Sequence, residues 1–286
     1  FSDSSQVPTY LICESIKSHG ISVALSGDGA DELFGGYNRH KLIPSINKYF
    51  GNFPTYIKNF INISLKSLPI SKKGLAQDKL QKFNAALLNS SKIEDIYDAL
   101  KSIQNYSEKD ISYSAKNNTY NFESFYKCKT KEETLMLADT ITYLTSDILV
   151  KLDRSAMASS LETRVPFLDK RVAETAWMMP LNMKINSKNR KKISKWALKK
   201  ILCKYIPMEL INRPKQGFCM PTGPWIRGPL NDWAKDMLSY KTINQQGYLN
   251  PKAVENILRR HNEGIEDNSS RLWNILMWQS WLNEWY

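Results

Sequence analysis

Residues 21–37 read ISVALSGDGADELFGGY, and this stretch constrains the fold more tightly than any other. Ile21, Val23, Ala24 and Leu25 form a short apolar run of the kind that makes a buried parallel strand, and it stops abruptly at Ser26-Gly27. Ahead of it, residues 7–19 carry Val7, Tyr10, Leu11 and Ile16 at helical spacing, with Ser4 or Ser5 as the cap, Pro8 in the first turn and Gly20 as the stop. Helix, strand, glycine loop, helix is the order of an open α/β sheet, whose ligands collect beyond the carboxyl ends of the strands. Gly27 and Gly29 let backbone amides approach phosphate oxygens with no Cβ in the way, and a helix start adds a partial positive field. Asp28, Asp31 and Glu32 crowd the same loop, and their charges would repel a polyphosphate unless Mg²⁺ or a substrate ammonium lay between. A plain helix start with acids in its first turn fits the same spacing, and the residues alone leave both readings open.

The rest of the chain is helical in pattern. Helices are expected over 84–88, 92–103, 131–158, 169–178, 191–205, 251–262 and 270–285, with no second strand of the Val23 type. One strand cannot make a sheet, so this run is expected to be an edge that completes strands lying upstream. The opening at Phe1 agrees with that expectation. Residues 1–42 are thus read as the remnant of an α/β nucleotide-binding sheet, 43–129 as a helical insertion rich in Asn, Ser and Lys, and 130–286 as a helical part.

Lys+Arg number 40 against 28 Asp+Glu, a net charge of +12 that would attract polyanions. Much of it lies at Lys188, Arg190, Lys191, Lys192, Lys195, Lys199 and Lys200, interleaved with Ile193, Trp196, Ala197, Ile201 and Leu202 as one basic-faced helix. No base-reading motif accompanies that face, so a solvated surface is the favoured reading and nucleic acid an unfavoured partner. The cysteines (Cys13, Cys128, Cys203, Cys219) and histidines (His19, His40, His261) lack metal-ligand spacing. No membrane-length apolar run and no leader pattern occur, and the expected location is cytoplasmic.

Several longer strings carry a resemblance. Val23–Tyr37 is similar to the second nucleotide-binding loop of asparagine synthetases. LDRSAMASSLETRVPFLD, ending at Asp169, is similar to that family's central helix and following turn. RPKQGFCMP, from Arg213, resembles its catalytic-lysine loop, and RLWNILMWQSWL, from Arg271, its closing helix. The resemblance implies an α/β, adenine-nucleotide alpha-hydrolase-like (PP-loop ATP pyrophosphatase) domain that uses ATP and Mg²⁺ to turn aspartate into asparagine. It implies ATP contacts at Leu25, Ser26, Gly27 and Gly29, and catalytic roles for Asp28 and Lys215. Asp31 would help hold Mg²⁺, with Glu32, Asp147 and Arg164 as secondary substrate contacts. Asp28 stands where well-known members carry glutamate, which bears on the acceptor. The family's N-terminal glutaminase cysteine and its Ser-Gly-Gly-x-Asp-Ser loop are not in this sequence, so a glutaminase domain and half of the phosphate cradle are expected from the parent chain, and the chain alone is expected to be inactive. A homodimer is compatible with the family. A related adenylating ligase with another acceptor, or a basic nucleic-acid-binding module, are the alternatives. Glu162 and Arg164 are expected to form a buried ion pair, and Trp273, Trp278, Trp281 and Trp285 to pack the last helix.

Overall fold

A computed structural model describes residues 2–66, 75–101, 128–188, 191–211, 218 and 220–286. In chain order the first elements are α1 (Gln6–Ser18), β1 (Val23–Leu25), α2 (Ala30–Leu33), α3 (Arg39–Phe50), α4 (Thr55–Lys66), α5 (Leu75–Leu88) and α6 (Ile93–Lys101). Then come α7 (Lys131–Asp139), a π-helical segment (Thr140–Ile148), α8 (Leu149–Ala158), β2 (Glu162–Arg164), a 3₁₀ turn (Pro166–Leu168), α9 (Lys170–Met178) and α10 (Leu181–Lys184). A hairpin of β3 (Ile185–Lys188) and β4 (Lys191–Ser194) leads to α11 (Trp196–Leu202) and α12 (Met208–Ile211). The last helices are α13 (Thr222–Arg227), α14 (Asn231–Met237), α15 (Tyr240–Gln246), α16 (Pro251–Asn262) and α17 (Ser269–Trp285). The protein is mostly helical, and it divides into two compact units.

One unit comprises Ser5–Ser45 and Asn121–Cys219. Here β1 pairs in parallel with β2, Val23 opposite Glu162 and Leu25 opposite Arg164. This corrects the expectation that the strand lacks a partner within the chain. Glu162 and Arg164 are too polar to signal a strand, yet their backbone groups complete the ladder, and Ser26 N–H extends it to the Arg164 carbonyl at 2.8 Å. The strand is also less buried than its composition suggests, with Val23 49% and Leu25 76% exposed. Below it α1 packs on α8, joining Cys13, Ala156 and Leu161 to Ile16 and Ala24. Ser5 does not cap α1 with its side chain; its hydroxyl instead accepts from Lys151 Nζ at 3.1 Å. The Glu162–Arg164 ion pair forms, but at side-chain exposures of 49% and 70%, so it is a surface pair and not a buried one.

Residues 131–158 are helical throughout, but not uniformly α. α7 opens on an N-cap, Thr130 Oγ1 accepting from Glu133 N–H at 3.2 Å and donating to Glu133 Oε2 at 3.1 Å. Past Asp139 the hydroxyls of Thr140, Thr142 and Thr145 donate to the carbonyls of Met136, Ala138 and Ile141 at 2.6–2.8 Å. Side chains that bond carbonyls one turn back compete with the helical amides, and the ladder there widens to π pairing. The basic-faced helix expected over 191–205 is corrected too. Lys191–Ser194 pairs antiparallel with Ile185–Lys188, Ile185 opposite Ser194, and the helix starts only at Trp196, after Lys195 takes a left-handed φ of 54°.

The other unit comprises Phe1–Ser4, Ile46–Tyr120 and Met220–Tyr286. Its core gathers Ile226, Leu238, Ile243, Val254, Leu272 and Leu276 from α13 to α17. Asn250 caps α16 through Lys252 N–H and Ala253 N–H, with Pro251 at the first helical position. The tryptophan expectation holds only for Trp273, which is buried; Trp278 and Trp281 are each 41% exposed and stack on one another at 5.3 Å, and Trp285 is 71% exposed. A helix has room to bury only one stripe, and α17 spends its inner face on Leu272, Ile275, Leu276 and Gln279.

His261 ties three of these elements together. Its Nε2 donates to the Gly223 carbonyl at 3.2 Å, and its Nδ1 accepts from Asn268 N–H at 3.2 Å, an arrangement that requires the neutral ring. Burial, joined by the Arg227 charge, holds its pKa below the usual histidine value, against the pull of Gly223 and Asp267. The unfolded chain therefore binds this proton more readily, and the stability His261 contributes is present above pH 6.5 and lost as pH falls toward the folded value. Denaturant unfolding at pH 7.5 and 5.5 is expected to show lower stability at the acid pH, with the difference reduced in His261→Gln. An unchanged difference would mean that His261 is not the group that titrates.

Candidate active site

The loop Ser26–Glu32 leaves the carboxyl end of the parallel pair, and each residue on it is placed by a local cause. Ser26 continues the β ladder through its amide, while its hydroxyl donates to Asp28 Oδ2 at 2.5 Å and accepts weakly from Asp28 N–H at 3.4 Å. Gly27 is exposed, and a Cβ built on it would meet nothing within 4 Å. Its backbone is thus open to a ligand. Gly29 differs: it holds φ 85°, ψ −19°, and a Cβ there would lie 2.7 Å from Leu168 Cδ2. Packing against Leu168 is thus a reason for glycine at this position that does not depend on a ligand. α2 is a single turn, so the axial field expected of a helix start is negligible and the loop amides must carry any anion binding.

Beyond Gly29 the acids separate. Asp31 Oδ1 pairs with Lys195 Nζ at 3.0 Å, both side chains about 30% exposed or less. Lys195 N–H also donates to the Phe34 carbonyl at 3.2 Å, so main chain and side chain of one left-handed residue grip α2 from the hairpin side. A left-handed non-glycine residue costs on the order of 1 kcal/mol or more, and such strain gathers at functional sites. The turn after α2 makes room for the pair: Gly36 N–H donates to the Asp31 carbonyl at 2.7 Å, and a Cβ on Gly36 would fall 1.8 Å from Asp31 Oδ1.

Glu32 points the other way. It is 1% exposed and accepts from the Tyr37 hydroxyl at 2.6 Å. Burial pushes its pKa up, opposed by that hydrogen bond. Its carboxyl group faces the interior and Tyr37. Behind Tyr37 stand Arg39, whose guanidinium lies 4.1 Å from the ring centroid, and buried Asp139, which accepts from Arg39 Nε at 2.7 Å and His40 Nε2 at 2.6 Å.

Among the remaining expected residues, Leu25 ends β1 with its side chain in solvent, and Arg164 sits opposite it, contributing its carbonyl to Ser26 while its side chain turns out to Glu162. Asp147 is half-buried on the π-helical segment. Lys215 lies outside the described residues. Among the described residues no group of three or more His, Cys, Asp or Glu side chains could hold a metal. The partner of Asp31 not expected from sequence is Lys195, which the helical spacing places on a basic helix face. The signal for it was the polar KKIS tetrad at Lys191–Ser194 just before the apolar helical spacing begins.

No helix among the described residues is long and apolar enough to cross a membrane. A family model described as asparagine synthase matches residues 1–283. The chain is 30% identical over 281 residues to asparagine synthetase [glutamine-hydrolyzing] 1 of Bacillus subtilis, covering 98% of this chain and 43% of that protein. It is 30% identical over 291 residues to a putative asparagine synthetase [glutamine-hydrolyzing] of Mycobacterium tuberculosis, covering 98% and 42%. Asparagine synthetase [glutamine-hydrolyzing] 1 of Arabidopsis thaliana is 24% identical over 257 residues, covering 88% and 30%. The chain thus spans about two-fifths of the length of the first two relatives. With the match running through the loop, the central helices and the closing helix alike, the chain belongs to the asparagine synthase family.

Proposed function

We propose that this chain supplies part of the synthetase site of an asparagine-forming ligase, in a PP-loop ATP pyrophosphatase fold. The observation that carries the reading is the open Gly27 backbone at the end of a parallel strand pair, flanked by Asp31 in its grip with Lys195. In the reaction, an aspartate side-chain carboxylate oxygen attacks the α-phosphorus of ATP, the α–β anhydride bond breaks and pyrophosphate leaves. Ammonia then attacks the acyl carbon, the bond to the adenylate oxygen breaks, and asparagine and AMP are released. Carboxylate oxygen leaves poorly until adenylated, which is why ATP is consumed.

Ser26 and Gly27 would contact the nucleotide, and Leu25 would end the strand beneath it. Asp31 would hold Mg²⁺, whose charge, when bound, offsets that of the pyrophosphate. Asp28 would face the acyl group and the incoming ammonia, and Lys215 would stabilise negative charge on phosphate or on the tetrahedral adduct. Ammonia would come from glutamine hydrolysed by another domain of the parent, in keeping with relatives that are named glutamine-hydrolyzing. Residues 43–129 are proposed as a helical insertion between the nucleotide-binding remnant and the helical part, and the parent as a cytoplasmic enzyme. Supplied with aspartate, glutamine and ATP, the parent is expected to release asparagine, AMP and pyrophosphate in equal amounts, and Lys215→Ala should lower kcat by about 10²–10³-fold. Release of ADP and phosphate, or undiminished synthesis in the variant, would sink the proposal.

The Ser26–Asp28 hydrogen bond favours a second reading. A short acid held back by its own loop suits an acceptor carboxylate other than aspartate. Consumption of ATP to AMP with a different carboxylate, and none with aspartate, would select that relative.

A further inference from the structure

The buried polar groups behind α2 form one connected set. Gly35, with φ 65°, and Gly36 turn the chain so that Tyr37 folds back over α2, where its hydroxyl donates to Glu32 at 2.6 Å. The ring is held on several sides: the Arg39 guanidinium lies 4.1 Å from its centroid, and the His40 and Tyr143 rings meet it edge-on at 5.5 and 5.8 Å. Arg39 and His40 are in turn fixed on Asp139, at the end of α7 where the π-helical segment begins. Glu32 directly follows Asp31, so whatever holds Glu32 also sets where the Asp31 carboxylate and the Gly27 backbone stand. Packing alone would not need a phenol here. A phenylalanine would fill the same space and keep the ring contacts, whereas the hydroxyl specifies one position for Glu32.

We propose that Tyr37 is a positioning residue for nucleotide binding: its hydroxyl, backed by Arg39 and Asp139, holds α2 so that the Ser26–Asp31 loop is already shaped to receive the triphosphate. The inference rests on the synthetase reading above. It assigns to Tyr37 no contact with substrate, only the pre-organisation of a loop that would otherwise have to order on binding.

The test uses the full-length parent carrying Tyr37→Phe, with active-enzyme concentration titrated and thermal stability measured alongside. The expected result is a KM for ATP raised about tenfold, the loss of one hydrogen bond to a carboxylate, with kcat at saturating ATP within about twofold and the KM for aspartate unmoved. Arg39→Lys keeps the charge but loses the planar fork that reaches Asp139 and the ring together, and it should raise the same KM in the same direction. Should both variants melt lower yet keep the wild-type KM for ATP, Tyr37 is a packing residue and the inference is overturned. If the wild-type parent forms no AMP from ATP at all, it is the synthetase reading that fails, an outcome distinct from the first.

Discussion

Replacing Asp139 by alanine is expected to destabilise its unit by about 3–5 kcal/mol, the cost of removing one partner from a buried ion pair. Asp139 is 0% exposed and accepts from two cationic or potentially cationic neighbours on α3, Arg39 Nε at 2.7 Å and His40 Nε2 at 2.6 Å. Burial alone would raise its pKa, but the hydrogen bonds from His40 and Arg39 outweigh burial and hold the carboxyl below the usual carboxylate range. Its stabilisation is thus present above the ordinary value of 3.8 and lost as pH falls through the folded one. Burial lowers the His40 pKa, against the pull of its hydrogen bond and ion-pair contact with Asp139. Alanine would leave the Arg39 guanidinium, 22% exposed, without its carboxylate and His40 without an acceptor. Asparagine keeps the shape and one carbonyl oxygen, so Asp139→Asn should cost less. Against a total stability of about 5–15 kcal/mol, the alanine variant is expected to show a visibly earlier urea transition. A change under about 1 kcal/mol would show that the cluster is not what binds α3 to α7.

How far the fold was legible follows from what each element depends on. Elements whose burial is local were readable: α1 carries its own periodicity and Gly20 stop, and α9 behind Asp169 and α16 with Pro251 after Asn250 carry caps as well. Elements whose burial is supplied by a distant partner were not. β2 is Glu162-Thr163-Arg164, a polar triplet that is a strand only because Val23–Leu25 offers unpaired backbone. β4 carries lysines that read as a helix face until β3 pairs with them. The π widening depends on threonines bonding carbonyls one turn back, which a helical repeat does not distinguish from ordinary α spacing.

At the loop, the sequence groups Ser26–Glu32 together but does not show which side chains from elsewhere meet each of them. Ser26, Gly27, Asp28 and Asp31 were recognisable because glycines and acids in a strand-to-helix turn imply a common purpose. The division of labour among the acids was not. Asp31 faces Lys195 from the hairpin, and Glu32 faces Tyr37, five residues on, although the two acids are adjacent in the chain. Successive residues on a helical turn point about a third of a turn apart, so only the partners reveal which acid looks outward. Gly29 illustrates the same limit, since its reason for being glycine is Leu168.

The same geometry makes Gly36→Ala the sharpest probe of the site. Among the turn glycines Gly35 sits at φ 65°, so a side chain there is strained whatever the space, and its Cβ would also press within 2.6 Å of Ile185 Cγ1. Gly36 has no positive φ, and alanine suits its backbone; what the methyl meets is Asp31 Oδ1 at 1.8 Å and Lys195 Cε at 2.4 Å. Those atoms, with Asp31 Cγ at 2.7 Å, belong to side chains that are partly exposed, so the fold should survive with a melting temperature within a few degrees of wild type. The ion pair cannot stay where it is. A displacement of about 1 Å at a positioned group costs roughly a hundredfold in rate, and that is the expected fall in kcat/KM for ATP in the parent carrying Gly36→Ala. Gly35→Ala should do the reverse, lowering stability first. If Gly36→Ala synthesised asparagine at the wild-type rate, the Asp31–Lys195 pair would have no part in nucleotide handling, and the loop would be a helix start and nothing more.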